Sequence, residues 1–403
     1  MKGCHWKLLI LLIVGSVSAY NGGDKIDDSN CTAVYQNRCT CGYGHYPYWK
    51  PTESLYIVNC TNSGFTSTEM LEDLDERIQI LIFTGNKLPE LEWNIFGFFE
   101  KTGNLEVVDM SHNQIEEIPG KTYHRVGFVR KLILSHNNLR ISGANSHPRL
   151  FSNFYELEEL DLRNTFSETV DAGYYLKDLK DVFISSNMTK LRKLNLEQNE
   201  IWEIQDKNMF CILPSLRELY IGDNQLQSID IALNCLKKLT LLDVRYNKIK
   251  RLDKETIDRL EQAFGNGSGR LIMNENPFHC DCHLRPFYDW VFNTKANINK
   301  EDLRCYDGWP KGNAGRRLSS ITKLECPPDP LTEESKMAVS TSITQALLLI
   351  LLLLVATLLS VFIWVNRAQF KGQLAPVVKS VQKSMQYKTI NRDDEIIAPE
   401  VNV

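Results

Sequence analysis

One short pattern recurs through the middle of the chain and limits what the chain can fold into. It has the form Leu-x-x-Leu-x-Leu-x-x-Asn-x-Leu, in which other apolar residues sometimes replace leucine. Eight copies are recognisable, and the residues at their Asn position are Asn86, Asn113, Asn137, Thr165, Asn199, Asn224, Asn247 and Asn276. These positions lie 27, 24, 28, 34, 25, 23 and 29 residues apart. A repeat of this period predicts a solenoid, because one turn cannot bury its apolar edge alone whereas stacked turns bury it continuously.

The spacing within the pattern assigns a role to each position. Leucines at alternate positions of a short strand point into the stack, and the residues between them face outward. The Asn follows the strand, where its amide can satisfy backbone groups that the bend leaves unpaired. We therefore expect the Leu and Asn columns to be structural and the outward positions to be available for binding.

The eight copies resemble the extracellular leucine-rich-repeat family, over roughly residues 31–326. This resemblance implies an α/β leucine-rich-repeat solenoid with a curved parallel β-sheet on its concave face. Members with a single membrane span bind protein ligands, often on neighbouring cells, and the resemblance implies the same class of partner here.

Two segments, 140–156 and 166–190, hold more chain than the other turns. Inserts in a solenoid map to loops on one face, so these segments are either binding loops or tolerated excursions. The second insert contains a stretch with helical character, Leu176–Phe183. A further match to the repeat runs from Leu179 to Asn187 in the same insert, which leaves the register of this region open.

An open solenoid exposes its core at both ends, and two groups of cysteines lie where caps are needed. Four precede the first copy and four follow the last: Cys31, Cys39, Cys41 and Cys60, then Cys280, Cys282, Cys305 and Cys326. A bridge across a single residue would be strained, so two pairings remain for each group. Both groups resemble the cysteine caps of the family, and that resemblance implies the pairs Cys31–Cys41, Cys39–Cys60, Cys280–Cys305 and Cys282–Cys326.

Two other cysteine patterns have competing interpretations. The string from His279 to His283 contains residue types that bind zinc, but partner cysteines downstream in a secreted chain favour disulfides over a metal site. Cys211 and Cys235 lie 24 residues apart, about one repeat period, so they either bridge adjacent turns or remain two buried free thiols. We expect no metal and no cofactor.

The two ends of the chain indicate secretion and a membrane anchor. Lys2, Lys7, the apolar stretch Leu8–Val14 and the small residues up to Ala19 are typical of a cleaved signal peptide. Ala346–Val365 is uncharged over 20 residues. At a rise of about 1.5 Å per residue, a helix of this length spans one hydrocarbon core of about 30 Å.

Four basic residues with no acidic residue among them follow this stretch: Arg367, Lys371, Lys379 and Lys383. Their charge places the C-terminus in the cytoplasm and predicts a single-pass type I protein of the plasma membrane. The predicted parts are a signal peptide (1–19), an N-terminal cysteine-rich cap (20–64), the repeats (65–275), a C-terminal cysteine-rich cap (276–326), a stalk (327–340), a transmembrane helix (341–365) and a cytoplasmic tail (366–403).

Short signals occur on both sides of the predicted membrane. Outside lie four sequons for N-glycosylation, Asn30, Asn59, Asn187 and Asn266, and the last two are the stronger candidates because they do not adjoin a cysteine. In the tail, Tyr387–Ile390 resembles a tyrosine-based sorting signal, and Val401–Val403 resembles a ligand of PDZ domains, which hold a C-terminal carboxylate.

Charge and motifs narrow the function. The chain between the signal peptide and the tail has a net charge of −8, which argues against a nucleic acid or a heparin-like polyanion as the principal partner. Common hydrolase motifs such as Gly-x-Ser-x-Gly and His-Glu-x-x-His do not occur. We therefore predict a non-enzymatic cell-surface receptor, of the adhesion or recognition kind, that signals through partners. The alternatives are an auxiliary subunit of a membrane complex such as an ion channel, and an innate-immune co-receptor.

The candidate ligand residues are outward positions where the chain departs from the usual small polar residues of the repeat. They are Tyr220, Arg245, Tyr246, Arg163 and Glu197. Aromatic residues and Arg are enriched at binding hot spots, so we predict that Tyr220, Arg245 and Tyr246 form the centre of a protein-binding patch. Solvated surface with rings stacked on Arg is the alternative. His112 and His136 are interpreted as ordinary surface.

Overall fold

The computed structural model describes residues 31–97, 103–124, 126–141, 149–327, 330–367 and 379–381. The chain separates into two units, Met1–Cys326 and Pro327–Val403, and each is described by itself. The predicted signal peptide, residues 1–19, lies outside the described residues.

The strands of the first unit are short and evenly spaced along the chain. They are β1 (Thr40–Gly44), β2 (Leu55–Asn59), β3 (Ile80–Ile82), β4 (Val107–Asp109), β5 (Lys131–Ile133), β6 (Glu159–Asp161), β7 (Lys193–Asn195), β8 (Glu218–Tyr220), β9 (Leu241–Asp243), β10 (Arg270–Ile272), β11 (Phe278–Cys280), β12 (Asn297–Ile298) and β13 (Cys305–Gly308). Within the described residues, β1 to β10 and β12 form one sheet in chain order, and β11 pairs with β13. β1 is antiparallel to β2, and the strands that follow in the large sheet are parallel.

Strands β3 to β10 correspond one to one with the eight copies of the repeat. In each three-residue strand the central apolar side chain is buried, as at Leu132, Leu194 and Leu219. The register aligns these residues on adjacent turns, so that Leu194 pairs with Leu160 and Leu219. The predicted leucine-rich-repeat solenoid with a parallel sheet is therefore confirmed.

The Asn column binds each turn to the next, as the sequence predicts. The Asn137 Oδ1 accepts hydrogen bonds from the backbone N–H groups of Asn113 and Ile115, both at 3.0 Å. Its Nδ2 donates to the carbonyl oxygens of Leu134 at 2.7 Å and Met110 at 3.1 Å. One side chain thus satisfies backbone groups on two turns.

Thr165 replaces Asn in the same column and fulfils part of this role. Its Oγ1 donates to the Leu134 carbonyl at 2.9 Å, and its backbone N–H donates to the Asn199 Oδ1 at 2.9 Å. The column therefore continues through the irregular copy.

In the described part of the chain, three α-helices lie between strands: α1 (Ala172–Ser186), α2 (Lys254–Phe264) and α3 (Arg285–Asn293). The insert 166–190 contains α1, which begins at the N-cap Asp171, whose side chain accepts a hydrogen bond from the Gly173 N–H. Leu179 is buried on the inner face of α1. The predicted helical character of this insert is confirmed, and the further match to the repeat in the same stretch is wrong. In the other insert, residues 142–148 lie outside the described residues.

Five disulfides join the ten cysteines that follow the predicted signal peptide. In the caps, the pairs are those that the resemblance implies: Cys31–Cys41, Cys39–Cys60, Cys280–Cys305 and Cys282–Cys326. Cys211 and Cys235 bond to each other across adjacent turns, with their Cα atoms 5.4 Å apart. Each end of the solenoid core is thus covered by covalently linked chain.

The second unit contains one long helix, α4 (Pro330–Val365). Its segment Ile343–Val365 has 23 residues and is long and apolar enough to cross a membrane. The helix begins within the residues predicted as a stalk. Near its end, the Arg367 guanidinium carbon lies 5.6 Å from the centre of the Trp364 ring.

The Asn column generates a stability prediction. Replacing Asn137 by Ala should lower the free energy of unfolding by about 2–4 kcal/mol, because each buried group left unpaired costs about 1–3 kcal/mol. The neighbouring Asn138 is exposed and offers a matched control, for which we expect a change within about 0.5 kcal/mol. Chemical denaturation of the protein in neutral detergent measures both. Equal effects of the two variants would contradict the role of the column.

Candidate ligand-binding face

The parallel register determines which side chains share the concave face. In each strand, the residues on either side of the buried one point outward, and equivalent residues on adjacent turns lie about 4.8 Å apart. The candidate residues occupy three such rows. Tyr220 ends β8, Arg163, Glu197 and Arg245 come two residues after their strands end, and Tyr246 follows Arg245.

Three of the candidates form one ionic cluster. The Glu197 carboxylate lies between two guanidinium groups, 2.9 Å from Arg163 Nη2 and 3.4 Å from Arg245 Nη2. Arg245 also lies 3.2 Å from the buried Asp243 carboxylate through its Nε. Glu197 was predicted as an outward ligand residue, but it is only 6% exposed, because the two arginines cover it. It therefore positions the arginines and is not itself available to a ligand.

Gly222 explains how Arg245 reaches Glu197, which lies two strands away. Gly222 occupies the equivalent position on β8, between the two residues. A Cβ atom at this position would lie 3.3 Å from the Arg245 Cγ and 3.1 Å from the Arg245 carbonyl oxygen. The missing side chain leaves the space through which Arg245 crosses β8.

Tyr220 lies half-buried beside this cluster. Its hydroxyl donates to Glu218 Oε2 at 3.0 Å, and the Lys193 ammonium lies 5.1 Å from the ring centre. Burial, and then the Glu218 charge, raise the pKa of Tyr220, so its hydroxyl stays protonated and donates at neutral pH. The side chain presents a ring face and edge to the concave side, held in one orientation.

Tyr246 lies apart from Tyr220, at the rim where the strands end. Its φ of +53° is typical of this position in the repeat, where Gln198 and Asp223 also have positive φ. Its side chain is 52% exposed and lines an open recess of about 420 Å³ with those two residues. The structure therefore divides the predicted patch into a concave part around Arg245 and a rim part around Tyr246.

The loop that joins β1 to β2 covers part of the concave face, which was not predicted from the sequence. In this loop, Tyr46 and Trp49 pack against outward-facing apolar residues of the first strands, Ile57, Ile80 and Val107. The Trp49 Nε1 donates to Glu106 Oε2 at 2.8 Å, and further along the sheet the Lys131 Nζ donates to the Tyr48 carbonyl at 3.0 Å. The loop thus closes the first part of the concave face. Apolar residues at outward positions of β2 to β4 are the sequence signal that could have revealed it.

A recess of about 330 Å³ lies where this loop ends and the open face begins. Tyr46 and Tyr48 form one side of it, and Asp109 and Asp161 lie in its lining. Burial raises the pKa of both carboxyl groups, opposed by the backbone hydrogen bonds that each accepts, from Ser111 and Arg163 respectively.

His112 and His136, interpreted as ordinary surface, stack on each other from adjacent turns. Their ring centres lie 4.3 Å apart, with 11° between the ring planes. The His136 Nδ1 lies 3.1 Å from the Asn164 Nδ2. Burial, and then the neighbouring His112, lower the pKa of His136, so the ring is neutral at physiological pH.

The remaining predicted sites fall in different places. Cys280 and Cys282 are bonded to other cysteines, so their sulfurs are not free thiolates for zinc. Asn187 and Asn266 are exposed, whereas the Asn59 Oδ1 accepts a hydrogen bond from the Thr61 N–H on the concave side. Several predicted signals lie outside the described residues: Asn30, Tyr387, Ile390, Val401 and Val403.

Comparison with known proteins agrees with this architecture. A family model described as Leucine rich repeat matches residues 189–249. Trophoblast glycoprotein of Macaca fascicularis is 24% identical over 335 residues, which cover 79% of this chain and 75% of that protein. CD180 antigen of Homo sapiens is 25% identical over 270 residues, covering 57% of this chain and 40% of that protein.

A solved structure gives the same result. The crystal structure of human 5T4 (Wnt-activated inhibitory factor 1, trophoblast glycoprotein) matches with a TM-score of 0.59 at 25% identity. The match covers 67% of this chain and 94% of that chain. The family model and the solved structure thus agree with the leucine-rich-repeat solenoid described above.

The ionic cluster generates a prediction with an internal control. Glu197→Gln removes the carboxylate between the two guanidinium groups, so we expect the free energy of unfolding to fall by about 1–3 kcal/mol. Glu218→Gln removes a half-exposed carboxylate 3.9 Å from Lys193, and we expect a loss below about 1 kcal/mol. Denaturant unfolding measures both variants. A larger loss of unfolding free energy in Glu218→Gln than in Glu197→Gln would contradict the role of Glu197 in holding the two arginines.

The recess generates a pH prediction. The folded-state pKa of Asp109 is raised above its unfolded value of 3.8, so the ionised carboxylate destabilises the folded protein at pH 7. Asp109→Asn should therefore raise the free energy of unfolding at pH 7. The gain should shrink as the pH falls through the folded pKa and vanish below 3.8, where the wild-type carboxyl is neutral in both states.

Asp253 is a control for this prediction, because its pKa is shifted in the opposite direction to that of Asp109. The Thr256 N–H bonds to this carboxylate and lowers its pKa, so its contribution favours the folded state above pH 3.8. Asp253→Asn should remove stability at pH 7, and the loss should fade as the pH falls through the lowered folded pKa. Unfolding curves recorded from neutral to acidic pH compare the two variants, and the same sign for both would refute the assignment.

Proposed function

We propose that this leucine-rich-repeat protein is a single-pass receptor of the cell surface that binds a protein ligand with the open part of its concave face. The proposal gives the chain no catalytic step and no cofactor. Signalling would pass through membrane or cytoplasmic partners, such as adaptors that read the tail residues Tyr387–Ile390 or Val401–Val403.

The observation that carries the proposal is the pre-organised cluster around Glu197. Arg163 and Arg245 are each held by this buried carboxylate, yet a substantial part of each side chain remains exposed. Fixed guanidinium groups lose little freedom when they bind, and this favours affinity for carboxylate and backbone oxygen groups of a protein. Tyr220 and Tyr246 add aromatic surface on either side of the cluster.

The positions of the glycosylation candidates agree with this face. Asn187 follows α1 and precedes β7, and Asn266 follows α2 and precedes β10. Both therefore lie on connections that enter a strand from the helical side. Glycans there leave the concave cluster and the rim around Tyr246 uncovered.

The membrane arrangement rests on charge and on similar proteins. The apolar helix Ile343–Val365 is followed by basic residues, which favours a cytoplasmic tail and an external solenoid. Proteins similar to this chain include trophoblast glycoprotein and CD180 antigen. These names favour recognition at a cell surface over an intracellular role.

The test begins with proximity labelling by the full chain on living cells, followed by binding measurements with the partner it identifies. Tyr246→Ala, Tyr220→Ala and Arg245→Ala should each weaken binding by about 1–3 kcal/mol if they are hot-spot residues. Tyr306→Ala is the matched control, because this tyrosine is 77% exposed but belongs to the C-terminal cap. A triple variant that reaches the surface normally and binds as tightly as the wild type would refute the concave site.

A deletion separates the receptor from the channel-subunit alternative. Removing residues 20–337 leaves the signal peptide, the apolar helix and the tail. A receptor should lose its effect entirely, whereas an auxiliary subunit that acts through the helix and the juxtamembrane bases should keep it.

A further inference from the structure

A continuous row of side chains runs along the edge of the sheet where the strands begin. It consists of the residue immediately before each strand of the central turns: Glu106, Arg130, Glu158, Arg192, Arg217 and Thr240. Each backbone N–H in this row donates to the carbonyl of the preceding member, at 2.7 to 2.8 Å from Arg130 to Thr240. These bonds make the members spatial neighbours, and we call them the start row.

The first four members of the start row alternate in charge. Glu158 lies 3.5 Å from Arg130 on one side and 2.9 Å from Arg192 on the other. Glu106, at the beginning, pairs with Lys50 at 2.8 Å. Opposite charges on neighbouring strands support the sheet, so this part of the row has a purely structural explanation.

The row one residue further along follows the same rule. Lys131 pairs with Glu159 at 2.9 Å, and Lys193 with Glu218 at 3.9 Å. Alternation is thus the ordinary arrangement on both rows of this edge.

Arg217 breaks the alternation. It stands next to Arg192 where an acidic residue would continue the pattern, and like charges on neighbouring strands are unfavourable for the sheet. Among the described residues, Arg217 has no carboxylate within 4 Å, and the same holds for three other bases on this edge, Lys237, Lys238 and Arg270. Lys238 belongs to the next turn, but its Nζ lies 3.4 Å from the Ser215 Oγ. Its ammonium group therefore lies close to the turn of Arg217.

We call Arg217, Lys237, Lys238 and Arg270 the basic edge. All four are exposed. Their positive charge is local, since the chain between the signal peptide and the tail is acidic overall. Four cations on three adjacent turns, none of them in a salt bridge with a described carboxylate, raise the concentration of anions near this edge.

The surroundings of the basic edge indicate which kind of anion fits. The exposed side chains between its members, such as Thr240, are polar, and the leucines there are buried or half-buried, as at Leu239. The large exposed rings near the strand starts, Phe128 and Tyr155, belong to the turns of β5 and β6, where the charges are compensated. Protein ligands usually need aromatic or apolar anchors, whereas a linear polyanion binds by charge and by release of its counterions.

We propose that the basic edge binds a sulfated polysaccharide, with Arg217 and Lys238 at its centre. Such a chain would run across the strand starts of β8 to β10 and contact one or more cations on each turn. This site is separate from the proposed protein-binding face, because Arg217, Lys237 and Lys238 precede strands and Arg270 begins one, whereas Arg245 and Tyr246 follow a strand.

The test uses the full chain in neutral detergent and a defined heparin oligosaccharide as the probe. Arg217→Glu combined with Lys238→Glu should weaken binding at least tenfold. The matched control is Arg130→Glu combined with Lys190→Glu, which makes the same change in net charge at two exposed bases that already have acidic partners, Glu158 and Glu156. We expect the control to weaken binding no more than about twofold. For the wild type, raising the salt concentration threefold should lower the affinity roughly 20- to 50-fold, as for a site of about four cations.

Correct folding can be checked independently of the ligand. Arg217→Glu continues the alternation beside Arg192, so the test variant should unfold at the same denaturant concentration as the wild type or a higher one. Equal loss of heparin binding in both double variants would show a diffuse charge effect and would overturn the site. Binding of a poly-glutamate peptide as tightly as heparin, lost in the same variant, would overturn the polysaccharide in favour of an acidic protein. Either result leaves the concave-face proposal intact, since that proposal is tested at Tyr220, Arg245 and Tyr246.

Discussion

The structure depends on hydrogen bonds that no single turn can complete by itself. The Asn199 Oδ1 accepts from the Thr165 N–H of the previous turn at 2.9 Å, and its Nδ2 donates to the Leu162 carbonyl at 2.8 Å. These groups are buried, so a turn without its neighbour would leave them unpaired at a cost of about 1–3 kcal/mol each. The same contacts fix the distance between turns at the spacing of a β-sheet. The regular rows of outward side chains follow from that spacing.

The proposed binding face combines the regular spacing of the strands with a few residues that depart from the repeat. Glu197, Gly222 and Arg245 are equivalent residues of three successive turns, and only the glycine in the middle lets the outer two meet. A Cβ atom at Gly222 would lie 3.3 Å from the Arg245 Cγ, so Arg245 would have to shift to make room for it. The two arginines are therefore held by a buried carboxylate, while part of each arginine side chain remains exposed.

The sequence predicts what the repeat determines. The strands of all eight copies, the Asn column and the parallel sheet follow from residue spacing alone, because each depends on contacts between equivalent positions. The burial of Glu197 was not predictable in this way, because it depends on two arginines from turns on either side. The packing of the β1–β2 loop over β2 to β4 was not predicted either. Tyr46 and Trp49 lie outside the repeat, so the spacing of the repeat gives no information about their contacts with the sheet. The helix in 166–190 was also ambiguous from the sequence, because Leu179 fits both a helix and a copy of the repeat. In the structure, the N-cap at Asp171 begins a helix that includes Leu179.

Different positions within the repeat serve different surfaces, and this separation follows from the stacking. Residues before a strand lie along one edge, residues within it face the concave side, and residues after it reach the opposite rim. A substitution such as Arg217 in one row changes the charge of one edge and leaves the others unaltered, because each row contacts mainly itself across turns. The closed first part of the concave face, the arginine cluster, the rim at Tyr246 and the basic edge can therefore coexist on one rigid sheet. Since the caps fix both ends covalently, a ligand on one surface can bind without disturbing the register that supports the others.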